Sequence, residues 1–292
     1  MTRISYGKLS VPVHCVGVPP LRGLPDVPES PVRALDAGLL AWEVSMEVLG
    51  EAFLPAYTEG DNRAVVATDT MKNVILRHAL EHADPVPEAF LASLGRRFLG
   101  AYEEMETLRL RARELPFAPV GGSRRLYSLS AGEHGVAELE LDRDGLLDQR
   151  SGLEKLRLLK TTGSAFTRFA RDDATTLPER GDRPLFVHMD VAWRYADPAD
   201  ALAGDPSRYV SPAQVRDVIC TVFDEFVSES IQHLVHEFGH RLLDRYPSLH
   251  EVSFAAENHT HDPVPGSEQG ADRRAYTAAF PAYGLITLTL TR

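Results

Sequence analysis

Apolar residues in this chain alternate with polar ones over several short runs and recur at helical spacing over four longer ones. Leu9, Val11, Val13 and Cys15 alternate within residues 4–18, which reads as a strand. Five prolines make residues 19–31 a loop. Residues 39–57 read as one long strand through Val44, Met46 and Val48, although 41–53 also fits a helix. Residues 64–67 read as a short buried strand that runs into Thr68-Asp69-Thr70, an N-cap signal. Helices follow over 71–81 and 87–102, the second with Phe90, Leu91, Leu94, Phe98 and Leu99 on one face. Residues 107–117 alternate as a strand.

After Gly121-Gly122, residues 126–129 and 136–141 read as a hairpin, and Asp142 to Gly145 as a turn. Strands are expected over 153–159 and 185–193, a loop over 197–205, and helices over 212–226 and 228–246. A strand over 252–256, a loop over 262–270 and an alternating strand over 282–291 close the chain. Strand, strand, helix, helix, strand, strand thus occurs twice. That order predicts an α+β fold in which each half, 1–134 and 135–292, backs an antiparallel sheet with two helices.

Composition narrows the function classes. With 42 acidic and 31 basic residues the net charge is -11, which argues against nucleic acid or an anionic membrane as the main partner. One local Arg or Lys can still hold a small anion. Cys15 and Cys220 read as buried free thiols, and no apolar run reaches the ~18 residues of a membrane span. The first ten residues lack a signal-peptide core and the last six are no peroxisomal address, so a reducing cytoplasm is expected.

The candidate chemistry centres on residues 160–187. An apolar strand breaks at Gly163, Phe166 follows, and a dense block of charge ends at Arg183. Phe166 offers a flat face for stacking, and Arg183 a planar fork of donors for a flat, acceptor-rich or anionic ligand. Gln232 lies in the first turn of a helix that Ser228 or Ser230 can cap, where free amides favour an anion. Thr68 at a helix start could relay a proton, with Lys8 as its partner if desolvated. His236-Glu237-Phe238-Gly239-His240 is a formal HExxH and the basis of an alternative, a zinc hydrolase with Glu251 or Glu257 as third ligand. Against it, Ile231, Leu234, Val235, Phe238 and Leu242 form the apolar stripe, which leaves the histidines on the opposite side. Residues 258–261, Asn-His-Thr-His, suit a metal cluster, a capping loop or a polar site.

Taken in order, Tyr6-Gly7-Lys8, residues 66–70 with Lys72-Asn73, Ser164-Ala165-Phe166, Asp182-Arg183, Ile231-Gln232, Asn258 and residues 283–286 resemble the urate oxidase (uricase) family over nearly the whole chain. The resemblance implies two tandem tunnelling-fold domains and a homotetramer with active sites at subunit interfaces. It implies oxidation of urate by O2 to 5-hydroxyisourate and H2O2, with no metal and no organic cofactor. By position, Arg183 and Gln232 would grip the purine edge, Phe166 would stack on it, and Ile231 would contribute its backbone. Thr68 and Asp69 would come from the neighbouring subunit, Asn258 would hold O2 or water above the ring, and Lys8 with Thr68 would shuttle protons. The family usually has a histidine two residues after the asparagine. Here Thr260 stands there between His259 and His261, so the third relay member is open among these three. A non-catalytic relative that binds a purine or pterin ring is the remaining alternative.

Overall fold

Alternating strands collect into one sheet because each has a single apolar face to bury. The computed structural model describes residues 4–35, 38–265 and 273–292. The strands are β1 (Ser5–Val16), β2 (Leu21–Arg22), β3 (Ala34–Leu35), β4 (Leu39–Leu49), β5 (Thr107–Glu114), β6 (Phe117–Pro119) and β7 (Tyr127–Leu129). They continue as β8 (His134–Asp142), β9 (Leu146–Lys160), β10 (Leu185–Tyr195), β11 (Leu249–His259) and β12 (Gly284–Thr291). The α-helices are α1 (Leu54–Thr58), α2 (Thr68–Glu81), α3 (Pro87–Ala101), α4 (Pro212–Glu225) and α5 (Ile231–Arg245). The main sheet is antiparallel, in the order β1-β4-β5-β8-β9-β10-β11-β12.

The expected α+β class and the doubled strand-strand-helix-helix-strand-strand order are both present. The two sheets, however, run on into one another through β8 and β9. Two apolar cores lie along this sheet. One joins α2 and α3 to β1, β4, β5 and β8 through Met46, Ile75, Phe90, Phe98, Leu110 and Leu139. The other joins α4 and α5 to β9, β10 and β11 through Val187, Trp193, Ile219, Leu234, Phe238 and Val252. Strand β8 gives Ala137, Leu139 and Leu141 to the first core, so the cores part at the turn between β8 and β9. No helix among the described residues is long and apolar enough to cross a membrane.

Four local expectations are corrected. The long strand expected over 39–57 ends at Leu49, because Gly50 takes a φ of 144° and Pro55 favours the short helix α1. Residues 64–67 form no strand. Val65 and Val66 pack on the first core, but Val66 N–H is taken by the Tyr6 hydroxyl (2.9 Å) and not by a neighbouring strand. Thr68 is not the N-cap of α2: Ala67 holds that place, with no side-chain cap bond. The hairpin expected from 126–129 and 136–141 does not form. Tyr127–Leu129 pairs with Phe117–Pro119, while His134–Asp142 inserts between β5 and β9, where its apolar residues meet the first core. The loop expected over 262–270 lies partly outside the described residues.

A buried polar cluster crosses between the two halves. Glu88, in the first turn of α3, is 1% exposed and accepts hydrogen bonds from the hydroxyls of Ser151 in β9 and Tyr209. Burial pushes its carboxyl up to about 7. Between 4.5, its ordinary value, and about 7 the folded chain therefore binds more protons than the unfolded one, and stability falls as pH rises through that window. Glu88→Gln should remove this loss. Urea unfolding should show the variant gaining on the native protein from pH 5 to pH 8, by up to about 3 kcal/mol. An identical pH dependence in the two proteins would contradict the assignment.

Candidate active site

The site is built on the loop that follows β9 and on the adjoining ends of β10, β11 and α5. Lys160 closes β9, and its ammonium donates to the carbonyls of Phe223 (2.8 Å), Asp224 (3.0 Å) and Phe226 (3.0 Å) at the end of α4. These are carbonyls that a helix C-terminus leaves unpaired, at the negative end of its dipole. Gly163, at φ 76°, then turns the chain. The Asp182 carboxylate ties the turn from the far side, accepting from Gly163 N–H (2.7 Å) and the Thr162 hydroxyl (2.7 Å). Arg183 N–H donates to Ser164 O and Ala165 N–H to Ser228 O, each at 2.8 Å, so this loop and the start of α5 share one backbone frame. Phe166 and Arg180 exchange both backbone bonds, at 2.8 and 3.0 Å.

This frame sets the Arg183 guanidinium over the Phe166 ring, 5.3 Å from its centroid. Arg183 Nε is buried and meets no acceptor among the described residues. Burial, with Arg180 nearby, lowers the guanidinium from the ordinary arginine value, and it remains a cation. An unpaired buried donor on a cation is costly unless an acceptor arrives. Around it, a small pocket at the strand ends is lined by Phe166, Arg180, Arg183, Asn258 and all three relay candidates, His259, Thr260 and His261. Asn258 stands opposite Val187, a fully buried residue of the helix-side core, so its side chain belongs to the helix side of the sheet.

Phe166, Arg183 and Asn258 are thus brought together. Ile231 and Gln232 stand one step away at the start of α5, where Ser230 caps the helix by accepting from His233 N–H (3.1 Å). Ile231 is buried at 4% exposure, while Gln232 is exposed. Ser228, the other capping candidate, instead donates its hydroxyl to Ser164 (3.3 Å). Phe169 was not singled out in the sequence. It stacks on Phe166 at 4.9 Å and 11° and occupies one of its faces. The only sequence signal was a second aromatic three positions along.

Lys8, Thr68 and Asp69 are elsewhere. Thr68 and Asp69 are exposed at the start of α2, and the neighbouring Lys72 ammonium, with Lys8 adding, holds the Asp69 carboxyl below the ordinary range. Lys8 lies on edge strand β1, six strand intervals from β11, or on the order of 29 Å along the sheet. Of the relay candidates, His259 Nε2 is engaged with Glu257 (2.9 Å) and His261 Nδ1 with Thr277 O (2.7 Å).

The HExxH reading is corrected. Its apolar stripe buries against the core and turns His236 and His240 outward, where their Nε2 atoms meet each other at 3.1 Å. Glu251 faces Arg194 (3.5 Å) and Glu257 bonds His259. Among the described residues no third His, Cys, Asp or Glu joins the pair on α5.

Comparison with known proteins adds to this geometry. A model of the uricase family matches residues 149–287. A Bacillus subtilis bifunctional protein of uric acid degradation is 40% identical over 99% of this chain, which spans only 61% of that protein's length. A Haloferax volcanii uricase is 43% identical over 88% of both chains. The crystal structure of urate oxidase from Bacillus sp. TB-90 superposes with a TM-score of 0.95 at 37% identity, over 99% of this chain and 100% of the other.

The Lys160 clamp is testable. Replacing Lys160 by Met leaves three carbonyls without their charged donor. Urea unfolding of this variant should show a loss of about 2 kcal/mol or more with an unchanged m-value. A midpoint equal to that of the native protein would show that the clamp does not stabilise the loop.

Proposed function

The chain belongs to the uricase family, and on that premise we propose that it oxidises urate with O2 and water to 5-hydroxyisourate and H2O2. The observation that carries the reading is the buried Arg183 Nε, which meets no acceptor among the described residues, on a guanidinium beside the Phe166 ring. A planar fork of donors beside an aromatic face fits a flat anion whose edge is lined with carbonyl and nitrogen acceptors. Arg183 would hold that edge with Gln232, while Phe166 stacks on the ring and Ile231 offers its backbone N–H at a helix start. The Asn258 amide, on the same side of the sheet, would hold O2 or water above the ring.

The reaction needs no cofactor to carry electrons, because doubly deprotonated urate is itself a reductant. The urate anion first loses a proton. It then passes two electrons to O2, which leaves as H2O2, and water adds to the oxidised ring. Neither Phe166 nor Arg183 can take the proton. Thr68 backed by Lys8 can, with Asp69 beside them. Within one chain these residues lie at the far end of the sheet from Arg183. The proposal therefore requires a neighbouring copy whose β1 edge approaches the β12 edge of this one, in a homotetramer with shared sites. Two free thiols, Cys15 and Cys220, suit a reducing cytoplasm.

Purified protein should bleach the near-ultraviolet band of urate at a rate that a strong chelator leaves unchanged. Arg183→Lys, which swaps a fork for a point charge, should raise KM about tenfold or more. Binding of urate without its consumption would favour the non-catalytic reading, and activity lost on chelation and restored by zinc would favour a hydrolytic metal enzyme.

The shared site makes a separate prediction. Thr68→Ala and Arg183→Ala proteins should each be nearly inactive, yet hybrids assembled from the two should regain part of the activity, since some of their sites draw both residues from intact copies. No recovery in hybrids confirmed by native mass spectrometry would place both residues in a site made by one chain.

A further inference from the structure

The face of β10 and β11 turned away from the helices carries a second group of side chains. His188 stands opposite Glu257, and Phe186 opposite His259. Their parity is the reverse of that of Val187 and Asn258, so these four side chains share the open face. Glu257 Oε2 lies 2.9 Å from His259 Nε2 and 3.7 Å from His188 Nδ1. All three ligand atoms fall within 4.8 Å of one another.

The two imidazoles pack with centroids 4.0 Å apart, and Phe186 meets the His188 ring edge-on at 4.7 Å. Tyr283 lies 5.3 Å from the His259 ring. His188 makes no hydrogen bond among the described residues: Nε2 is buried without a partner, and 3.7 Å is too long for Nδ1. An imidazole held against a carboxylate and a second imidazole, yet bonded to neither, lacks whatever would draw the three together.

We propose that His188, Glu257 and His259 bind a divalent transition-metal cation of the zinc type. Zinc bonds of about 2.0–2.1 Å in a tetrahedral arrangement set ligand atoms roughly 3.3 Å apart, between the two separations seen here. Two neutral imidazoles and one carboxylate suit Zn2+, Co2+, Ni2+ or Cu2+, whereas Ca2+ and Mg2+ need mostly oxygen ligands. Such an ion ties the end of β10 to the end of β11 from the open side. Asn258 lies in sequence between two of the ligands with its side chain on the other face, so the ion steadies the backbone that carries it. This site does not depend on the oxidation proposed above, although His259 also lines the Arg183 pocket. Arg157 stands opposite His188 on β9 and opposes a cation there.

Untagged full-length protein, stripped with a chelator and then titrated with Zn2+ by calorimetry, should bind one ion per chain with a Kd on the order of micromolar or tighter. Co2+ should give the visible spectrum of a tetrahedral site. His188→Ala, Glu257→Gln and His259→Ala should each weaken Zn2+ by about tenfold or more, while Arg157→Ala tightens it. His236→Ala/His240→Ala should leave both stoichiometry and affinity unchanged. Circular dichroism melts of the metal-free variants separate lost ligation from lost folding, and Glu257→Gln preserves the shape of the side chain. Absence of saturable binding up to about 1 mM would overturn the proposal. So would stoichiometric binding that survives His188→Ala/His259→Ala and vanishes in His236→Ala/His240→Ala.

Discussion

The backbone ladder between β8 and β9 is the constraint on which the rest of the molecule depends. Its register, from His134 opposite Glu154 to Leu141 opposite Leu146, joins two halves that each own a core. A buried group braces the seam: Glu88 on α3, in the first half, accepts from the Ser151 hydroxyl in β9, in the second. Each buried carboxylate is unfavourable unless hydrogen-bonded. One continuous sheet also sends β1 and β12 to opposite edges. Lys8 is thereby parted from Asn258, although the proposed site draws on both.

The same sheet divides chemistry between its faces. One face receives four helices and all the apolar residues of the two cores. The open face over β4, β5, β8 and β9 is a lattice of ion pairs, with Arg109, Arg111 and Arg113 among Glu43, Glu138, Glu140 and Glu154. Each exposed pair contributes little to stability. Together they keep helices off this face and leave it wet. Toward β10 and β11 the lattice gives way to Phe186, His188, Glu257 and His259. The pocket with Arg183 and Asn258 and the His-Glu-His group are therefore neighbours at the ends of two strands, and His259 belongs to both.

Much of the fold was legible because alternation and helical spacing are local properties. Helices α2 to α5 lie where the pattern put them within a few residues, and so do the flanking strands, except that β4 ends eight residues early and β9 begins seven residues early. Misreadings came where a partner outside the local window decides. Residues 64–67 look like a buried strand, but their peptides find Tyr6 and not a ladder. Residues 136–141 look like half of a local hairpin, but their apolar side is matched to a core already built by α3 and β5.

Sequence alone singled out Phe166, Arg183 and Gln232 as candidates, because stacking area, a donor fork and an amide are properties of single side chains, while the role expected of Asn258 came from the family resemblance. It also carried the family likeness, spread over positions that keep their order along the chain. Only the tertiary structure decided which of these residues meet. The distance between Lys8 and Arg183 is a matter of strand order. The emptiness around Arg183 Nε depends on which acceptors fail to reach it. The pairing of His188 with Glu257 is set by the register of two strands separated by more than fifty residues, which no period within either strand encodes. For the same reason the HExxH, the most conspicuous motif in the chain, came to nothing: its spacing is a property of one helix, whereas a third ligand has to be delivered by the fold.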